Sequence, residues 1–458
     1  MLRYRVPMSE DAEALRAGIH EDFPRVRDEL ERLVRIPSVS APGFDPGHVR
    51  ASADASAEIL EKAGAGGVRL LEVEGAHPAV YAETAEVVGA PTVLLYAHHD
   101  VQPPGPERLW DSPPFEPVER DGRLYGRGSA DDKSGVVTHA ACLRAFEERP
   151  PVNVKLLIEG EEEIGSQHLR QFLDRYSELI ATDVLVLADS ASWDVGRPAL
   201  TTSLRGLVDC VVEVRVLEHA VHSGFYGGPV PDALTVLARI LATLHDDRGN
   251  VAIDGLTSGT VPGVDWDEEE FRREAGVVPG LRLVGDGSVA ERVWSKPAVA
   301  VLGVDAPSIG ESSNQLVPSA RARVSLRLPP GQDPGAAMDA LVRHLSTRAD
   351  WGARVTVEPE ASAEPFRVEA IGPSFDAARR AMRDAWGTDP VDIGVGGTIP
   401  LATEFARAYP DAAILLTGAA DPDCRAHGEN ESVHLGELER ACLAEALLLT
   451  NLAKNGEP

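Results

Sequence analysis

Chemically reactive side chains follow short apolar segments at three places in the first half of the chain. His98 follows residues 93–97, a run of glutamates follows residues 154–158, and Asp189 follows residues 184–188. Each segment is short and rich in branched apolar residues, as is typical of a buried strand in an α/β sheet. Ligands and catalytic groups collect at the carboxyl ends of such strands. We therefore expect these side chains to converge on one crevice.

The residue types favour a divalent metal centre. Glu159, Glu161, Glu162 and Glu163 lie within five positions and would repel one another unless cations or hydrogen bonds offset their charge. Imidazole combined with several carboxylates suits zinc, or manganese and cobalt, better than copper or an iron–sulfur cluster. A two-metal centre also needs a bridging ligand, which an aspartate with two oxygens can supply. A solvated acidic loop is the alternative for the glutamates.

The pair Asp131 and Asp132 has two interpretations. It lies at the end of a glycine-rich turn and directly before a helical pattern over residues 133–148. Acidic residues at that place are typical of a plain helix N-cap. In the crevice predicted above, they are equally suited to be metal ligands.

The elements that position these residues form two domains. Helical spacing over residues 11–36 and the three buried strands predict an α/β domain at the start of the chain. Near residue 203 the pattern changes to alternating strands at residues 210–216 and 320–328, as in an antiparallel sheet. We expect a discontinuous domain of residues 1–202 and 366–458 and an inserted α+β domain of residues 203–365.

Two smaller features complete this organisation. Residues 375–386 have a helical pattern and residues 412–416 form another apolar run, which indicates that the chain returns to the first domain. Residues 246–296 are rich in Gly, Asp and Glu with weak periodicity, and predict a long irregular excursion within the insertion.

Composition excludes some function classes. The 458-residue chain carries 44 basic and 73 acidic residues, for a net charge of −29, so it repels nucleic acids and anionic membranes. The four cysteines form no CxxC pair, which argues against a disulfide framework and predicts buried free thiols. No secretory signal or membrane-spanning run is evident, and we expect a cytoplasmic protein.

Seven motifs carry a family resemblance that extends over nearly the whole chain. They are, in order, AHHDVQP, GRGSADDKSG, EGEEEIGS, LADS, HSGFYGG, GGTIP and AHGENE. The sequence resembles the M20 family of metallopeptidases, and most of all its carnosinase-type cytosolic dipeptidase branch. The resemblance implies a mixed-sheet α/β metallopeptidase catalytic domain, an inserted α+β lid and dimerisation domain, and a homodimer.

The resemblance also implies a ligand set for two divalent ions, with Zn²⁺ expected and Mn²⁺ or Co²⁺ as alternatives. His98 and Asp189 would bind different ions, Asp131 would bridge them, and Glu163 and His427 would complete the shell.

Further roles follow from the same motifs. Glu162 matches the general base that takes a proton from the attacking water, and Asp100 matches the aspartate that orients His98. His99 is expected to be a spectator. The reaction implied is the cleavage of a dipeptide or very short peptide by a water activated between the two ions.

Three further residues, two of them in the insertion, match substrate contacts. His222 matches a histidine that crosses a dimer interface to polarise the substrate carbonyl. Arg327 matches an arginine that binds the substrate's terminal carboxylate, and Thr398 lies in a loop that contacts the same end. Alternatively, Arg327 belongs to the wet face of an edge strand with Arg321 and Arg323, and Thr398 is an N-cap.

Two other functions remain open. The same centre would serve an N-acyl amino acid hydrolase or a carboxypeptidase, because it cleaves any amide that fits. A catalytically inactive binding relative is a different class, and such a protein usually lacks the base or a metal ligand. All of those residues are present here.

Overall fold

The secondary structure comes from a computed structural model, which describes residues 10–147, 149–260, 264 and 266–455. Its helices are α1 (Glu10–Val34), α2 (Pro46–Lys62), α3 (Lys133–Ala145), α4 (Leu169–Ile180), α5 (Ser223–Tyr226), α6 (Ala233–Ala242), α7 (Glu268–Glu274), α8 (Pro334–Thr347), α9 (Pro373–Trp386), α10 (Pro400–Ala408) and α11 (Leu435–Asn455). Its strands are β1 (Gly66–Leu71), β2 (Ala79–Glu83), β3 (Thr92–His98), β4 (Val118–Arg120), β5 (Arg123–Tyr125), β6 (Asn153–Glu159), β7 (Val184–Leu187), β8 (Ala199–Leu204), β9 (Gly206–Arg215), β10 (Val221–His222), β11 (Ala298–Asp305), β12 (Gln315–Leu316), β13 (Ser319–Leu328), β14 (Arg354–Ala363), β15 (Phe366–Arg367), β16 (Val391–Val395), β17 (Ala413–Leu416) and β18 (Ser432–His434).

The chain divides into two compact units. The first contains residues 1–202, 368–393 and 399–458, and the second contains residues 203–367 and 394–398.

The first unit is built on a mixed sheet with the order β1-β2-β6-β3-β7-β17-β8. The central strands β6, β3, β7 and β17 are parallel, whereas β1, β2 and β8 pair antiparallel with their neighbours. The three segments expected to be buried strands therefore lie side by side as β6, β3 and β7. Their carboxyl ends meet at one edge, because parallel strands point the same way.

Helices α1, α2, α3, α9 and α11 cover one face of this sheet and enclose the main apolar core. Helix α3 packs on strand β3 and contacts both α1 and α11. A separate small sheet has the order β18-β5-β4 and connects residues 432–434 with residues 123–125. It lies in the same unit and joins two loops that the sequence places about 300 residues apart.

The second unit is a four-stranded antiparallel sheet with two helices on one face. The strand order is β11-β13-β9-β14, and α6 and α8 pack against it over an apolar core. Strand β13 is an inner strand, so the alternative that placed Arg327 on an edge strand is wrong. Arg321 and Arg323 are nevertheless exposed on the face opposite to the helices, where they pair with Asp305 and Glu360.

The expected α/β class with a mixed sheet is confirmed. The helix expected over residues 133–148 ends at Ala145, and residue 148 lies outside the described part of the chain. Residues 246–296 contain the short helix α7 and a π-helical turn over Glu291–Ser295 where the sequence predicted only irregular structure. Among the described residues, no helix is both long and apolar enough to cross a membrane. All four cysteines are buried and free.

Candidate functional site

Two groups of metal-ligand type meet at the carboxyl edge of the central sheet. The first consists of His98, Asp131 and Asp189, and the second of Asp131, Glu163 and His427. In each group, the ligand atoms lie within 4.8 Å of one another. Asp131 belongs to both groups, and all five residues are those that the family resemblance implied.

Strands β3, β6 and β7 deliver most of these side chains. His98 is the last residue of β3 and is fully buried, whereas Asp189 and Glu163 lie in the loops that follow β7 and β6. His98 Nε2 lies 3.0 Å from Asp131 Oδ1 and 4.0 Å from Asp189 Oδ1. The convergence follows from the parallel register, which pairs Tyr96 with Leu187 near the strand ends.

The second group closes around the other oxygen of Asp131. His427 Nε2 lies 3.0 Å from Asp131 Oδ2 and 3.1 Å from Glu163 Oε2. The His427 side chain is 59% exposed, whereas that of Glu163 is 3% exposed. The aspartate therefore presents one oxygen to each group, which is the arrangement that a bridging ligand requires.

Asp132 differs from its neighbour Asp131 and satisfies the N-cap interpretation. Its side chain accepts a hydrogen bond from Gly135 N at the start of α3 and another from His98 N. Burial raises the pKa of Asp132 well above its usual value. The two aspartates thus divide the two roles that the sequence left open.

Burial, with repulsion between neighbouring carboxylates, raises the pKa values of three acidic residues in this cluster. Burial, followed by the charge of Asp189, raises the pKa of Glu162 well above its usual value, and burial followed by Asp131 raises the pKa of Glu163. Burial also dominates the raised pKa of Asp189. In contrast, hydrogen bonds to Asp131 and Glu163 raise the pKa of His427 to about 11. Such a cluster of anions and imidazoles fits divalent cations in both donor set and charge.

Asp100 contacts His98 through its backbone and its side chain. The backbone carbonyl of Asp100 accepts a hydrogen bond from His98 Nδ1 at 3.1 Å, and its carboxylate Oδ1 lies 3.4 Å from the same nitrogen. Oδ2 accepts from the Ser40 hydroxyl and from Glu163 N. With Nδ1 carrying the proton, Nε2 of His98 is left as the unprotonated nitrogen that faces Asp131 and Asp189.

The remaining glutamates of the cluster have separate partners. Glu159 accepts a hydrogen bond from the Tyr96 hydroxyl at 2.6 Å, and Glu161 accepts from His77 N and from His168. Within the described chain, the half-buried Glu162 carboxylate has no hydrogen-bond partner. The solvated-loop alternative is therefore wrong for Glu159 and Glu161, which are buried.

His99 is a structural residue. Its ring is fully buried, its Nε2 donates to the carbonyl of Pro78, and burial lowers its pKa to about 4. A neutral imidazole held in this way has no role in the cluster.

A second group of side chains that the sequence singled out lies in the second unit. Arg327 Nη1 is 3.5 Å from Thr398 Oγ1, and that hydroxyl donates to the carbonyl of Arg205 at 2.6 Å. The N-cap interpretation of Thr398 is wrong, because Ile399 is the N-cap residue of α10 and has no side-chain cap.

Arg205 was missed by the sequence analysis. Its Nε and Nη1 atoms are buried without a hydrogen-bond partner, and burial followed by the charge of Arg327 lowers its pKa to about 10. A side chain on Gly396 would collide with the guanidinium, since its Cβ would lie 2.7 Å from Nη2. Two arginines and a hydroxyl to which no carboxylate in the described part of the chain is bound suit an anionic group. In the sequence, Arg205 stands between two strand patterns and gives no such signal.

His222 lies at the end of β10 and is exposed. Its Nδ1 accepts a hydrogen bond from Gly224 N at 3.0 Å, which leaves Nε2 as the nitrogen that carries the proton. The ring lies 4.5 Å from that of Phe225, which is 80% exposed.

Comparison with known proteins agrees with the motif resemblance. The model for peptidase family M20/M25/M40 matches residues 94–451. A cysteinylglycine-S-conjugate dipeptidase of Corynebacterium striatum is 36% identical over 441 residues, which are 94% of this chain and 96% of that protein. A Beta-Ala-His dipeptidase of Rattus norvegicus is 28% identical and covers 78% of this chain and 76% of its own.

Solved structures show the same fold. The structure of the di-peptidase Dug1p from Saccharomyces cerevisiae has a TM-score of 0.85 and 22% identity, and covers 98% of this chain and 99% of that chain.

Proposed function

This chain belongs to peptidase family M20/M25/M40, and on that premise we propose that it hydrolyses dipeptides or very short peptides with two divalent metal ions. The observation that carries the proposal is the pair of ligand groups that share Asp131, with Glu162 directly before Glu163 in the segment that follows β6. The two relatives from Corynebacterium striatum and Rattus norvegicus described above are both named as dipeptidases.

For the metal centre, we assign Asp131 as the bridging ligand, with His98 and Asp189 in one group and Glu163 and His427 completing the other. Zinc is the ion we expect, and manganese and cobalt suit the same nitrogen and oxygen donors. When bound, such ions polarise a carbonyl and lower the pKa of a water between them.

Glu162 is the proposed general base. Its carboxylate has no hydrogen-bond partner among the described residues, and burial raises its pKa above the usual value, which suits a group that takes and returns a proton. It would accept the proton of the attacking water and deliver it to the leaving amine. Asp100 would keep the His98 ring in its orientation throughout.

At the carboxylate end of the substrate, we propose that Arg327 and Arg205 bind the terminal carboxylate and that Thr398 orients the two arginines. The unpartnered nitrogens of Arg205 support this assignment, because a buried guanidinium without an acceptor is costly. A requirement for a free carboxylate would confine cleavage to bonds close to the C-terminus of the substrate, which favours very short peptides.

The first experiment is elemental analysis for bound metal together with hydrolysis of a small panel. The panel contains Gly-Ala, β-Ala-His, cysteinylglycine, an S-alkyl cysteinylglycine and N-acetylalanine, each before and after chelation. We expect about two equivalents of metal and chelator-sensitive cleavage of dipeptides. Metal with cleavage of N-acetylalanine alone would favour the acyl-amino-acid hydrolase, and the absence of both metal and activity would favour an inactive binding protein.

Glu162→Gln tests the base directly. Turnover should fall by about 10²–10⁴-fold while metal content is retained, because the substitution removes proton transfer and not a metal ligand. Glu161→Gln is the matched control, since Glu161 lies at the same strand end but binds His77 N and His168. Equal activity in Glu162→Gln and in the unmodified protein would refute the assignment.

We further propose a homodimer formed through the second unit. Among the described residues, strand β11 pairs only with β13, and β11 carries exposed apolar side chains, with Val301 43%, Leu302 60% and Val304 49% exposed. A long apolar edge of this kind favours pairing with a second copy of itself. The opposite edge, β14, is interrupted by Pro359 and a register shift, which oppose such pairing.

His222 would act across that dimer interface. Its Nε2–H could donate to the substrate carbonyl oxygen in the other subunit, which makes activity depend on association. Leu302→Lys should convert the dimer to a monomer in light-scattering chromatography and reduce turnover, whereas Thr356→Lys on β14 should change neither. A monomer with full activity would refute both the interface and the role of His222.

We place the protein in the cytoplasm. Its four buried free cysteines fit a reducing compartment. Fractionation of cells that express the full chain tests this assignment, and recovery from the secreted fraction would contradict it.

A further inference from the structure

A buried ion pair lies behind the two ligand groups. Arg127 Nη1 is 2.6 Å from Glu431 Oε2, and both side chains are almost completely buried. Both residues occur within the family motifs, but neither is among the residues assigned so far.

Glu431 holds the loop that carries Asp131. Its Oε2 also accepts a hydrogen bond from Gly128 N at 3.0 Å, and its Oε1 accepts from Ala130 N at 3.0 Å and from Asp131 N at 3.1 Å. One carboxylate therefore satisfies three backbone donors of the same loop. Because Asp131 supplies a ligand atom to both groups, Glu431 controls the position of the residue that they share.

Arg127 holds the loop that carries His427. Its Nη2 donates to the carbonyls of His427 at 3.2 Å and Gly428 at 3.1 Å, and to that of Pro103 at 3.4 Å. His427 has a backbone φ of 63°, a conformation that side-chain-bearing residues rarely adopt. Its side chain is 59% exposed, so packing contributes little to holding the imidazole. The ring contacts Asp131 and Glu163, and the bond from Arg127 fixes the backbone that carries the ring.

The small sheet brings these two loops together. Ser432 of β18 pairs with Tyr125 of β5, and Gly126 N donates to the Glu431 carbonyl at 2.9 Å. This register places the Glu431 side chain beside residues 127–131.

We propose that Arg127 and Glu431 form one positioning pair that fixes the separation of Asp131 and His427 and thereby the affinity of the second metal ion. The inference rests on the proposed two-metal function. Arg127 serves the second group alone through His427, whereas Glu431 serves both groups through Asp131. The two residues therefore have different effects on metal binding.

Arg127→Lys tests the pair. A lysine keeps a positive charge beside Glu431, but its single nitrogen cannot reach the carboxylate and the carbonyls of Pro103, His427 and Gly428 together. The fold should survive, since Glu431 keeps its three backbone donors. The matched control is Arg123→Lys, because Arg123 pairs with the buried Asp421 and with Ser432 in the same small sheet.

The measurement is a cobalt titration of chelator-stripped full-length protein against a competing dye, with the cobalt absorption bands recorded and thermal unfolding followed in parallel. We expect two equivalents in the unmodified protein. In Arg127→Lys, the first equivalent should bind normally and the second should bind about 10–100-fold more weakly. Arg123→Lys should bind both normally even where it lowers thermal stability.

Glu431→Gln provides a second variant should Arg127→Lys fail to fold. It should weaken both equivalents, because the amide disturbs the contacts that hold Asp131. Normal binding of both equivalents by Arg127→Lys and Glu431→Gln, or equal weakening in Arg123→Lys, would overturn the positioning pair. Two cobalt equivalents without dipeptide cleavage would refute the proposed activity and leave the pair intact, whereas an unmodified protein that binds no cobalt would refute both.

Discussion

The carboxylate-binding role of Arg205 gives the sharpest quantitative prediction. Burial and the neighbouring charge of Arg327 lower the pKa of Arg205 from 12.5 to about 10. A pKa lowered by about 2.5 means that, without a bound anion, the charged form of Arg205 is destabilised by about 3 kcal/mol. A substrate carboxylate would relieve part of this cost, and hydrogen bonds to charged groups contribute about 1.5–3 kcal/mol.

The perturbation is Arg205→Met, which removes the charge and keeps an unbranched side chain. We expect kcat/KM for a dipeptide to fall by about 10–150-fold, the equivalent of about 1.5–3 kcal/mol. The same dipeptide with a C-terminal amide has no carboxylate to bind, so its already low kcat/KM should change little. The contribution of the contact between Arg205 and the carboxylate is the loss in kcat/KM for the acid divided by the loss for the amide. This ratio cancels any general effect of the substitution.

Arg323→Met is the matched control. Arg323 lies on the same strand as Arg327 but is exposed and paired with Glu360, so neither substrate should be affected. An equal loss on the acid and the amide in Arg205→Met would show that Arg205 has only a structural role and would refute the reasoning.

Three further predictions concern the first unit. Burial raises the pKa of Glu159 to about 7 from 4.5, so its contribution to stability is largest below pH 4.5 and is lost as the pH rises through 7. Glu159→Gln keeps an acceptor for Tyr96 but cannot ionise. Its free energy of unfolding by urea, measured on the chelated protein, should rise by up to about 3 kcal/mol relative to that of the unmodified protein as the pH increases from 5 to 8. A difference in unfolding free energy that does not change with pH would contradict this. Gly135→Ala should lower the free energy of unfolding by about 1–3 kcal/mol and weaken metal binding, because the new Cβ would lie 2.7 Å from Asp132 Oδ1. Gly18→Ala is the control, since its new Cβ would meet nothing within 4 Å and should not destabilise the protein. Chelation should lower the melting temperature more at pH 8 than at pH 5, since the crowded carboxylates ionise as the pH rises. If chelation lowers the melting temperature equally at both pH values, the carboxylates do not repel one another as argued.

Much of the fold could be predicted from local patterns. The apolar runs before His98, Glu159 and Asp189 became the adjacent strands β3, β6 and β7, because a predominantly apolar segment must be covered on both faces. The sequence did not distinguish the inner strand β13 from an edge strand. Alternation of apolar and polar residues shows which face of a strand is exposed to solvent, but not which strands lie beside it.

The sequence by itself determined the chemical inventory: which strands end in carboxylate or imidazole, and which motifs identify the family. Only the tertiary structure decided how neighbouring residues divide their roles, as when Asp131 meets two histidines and Asp132 caps α3. It alone also revealed Arg205 and the pair of Arg127 with Glu431. The physical reason is that a hydrogen bond or an unpaired charge is a property of contacts, and these contacts join loops up to about 300 residues apart, a separation over which spacing along the chain carries no information.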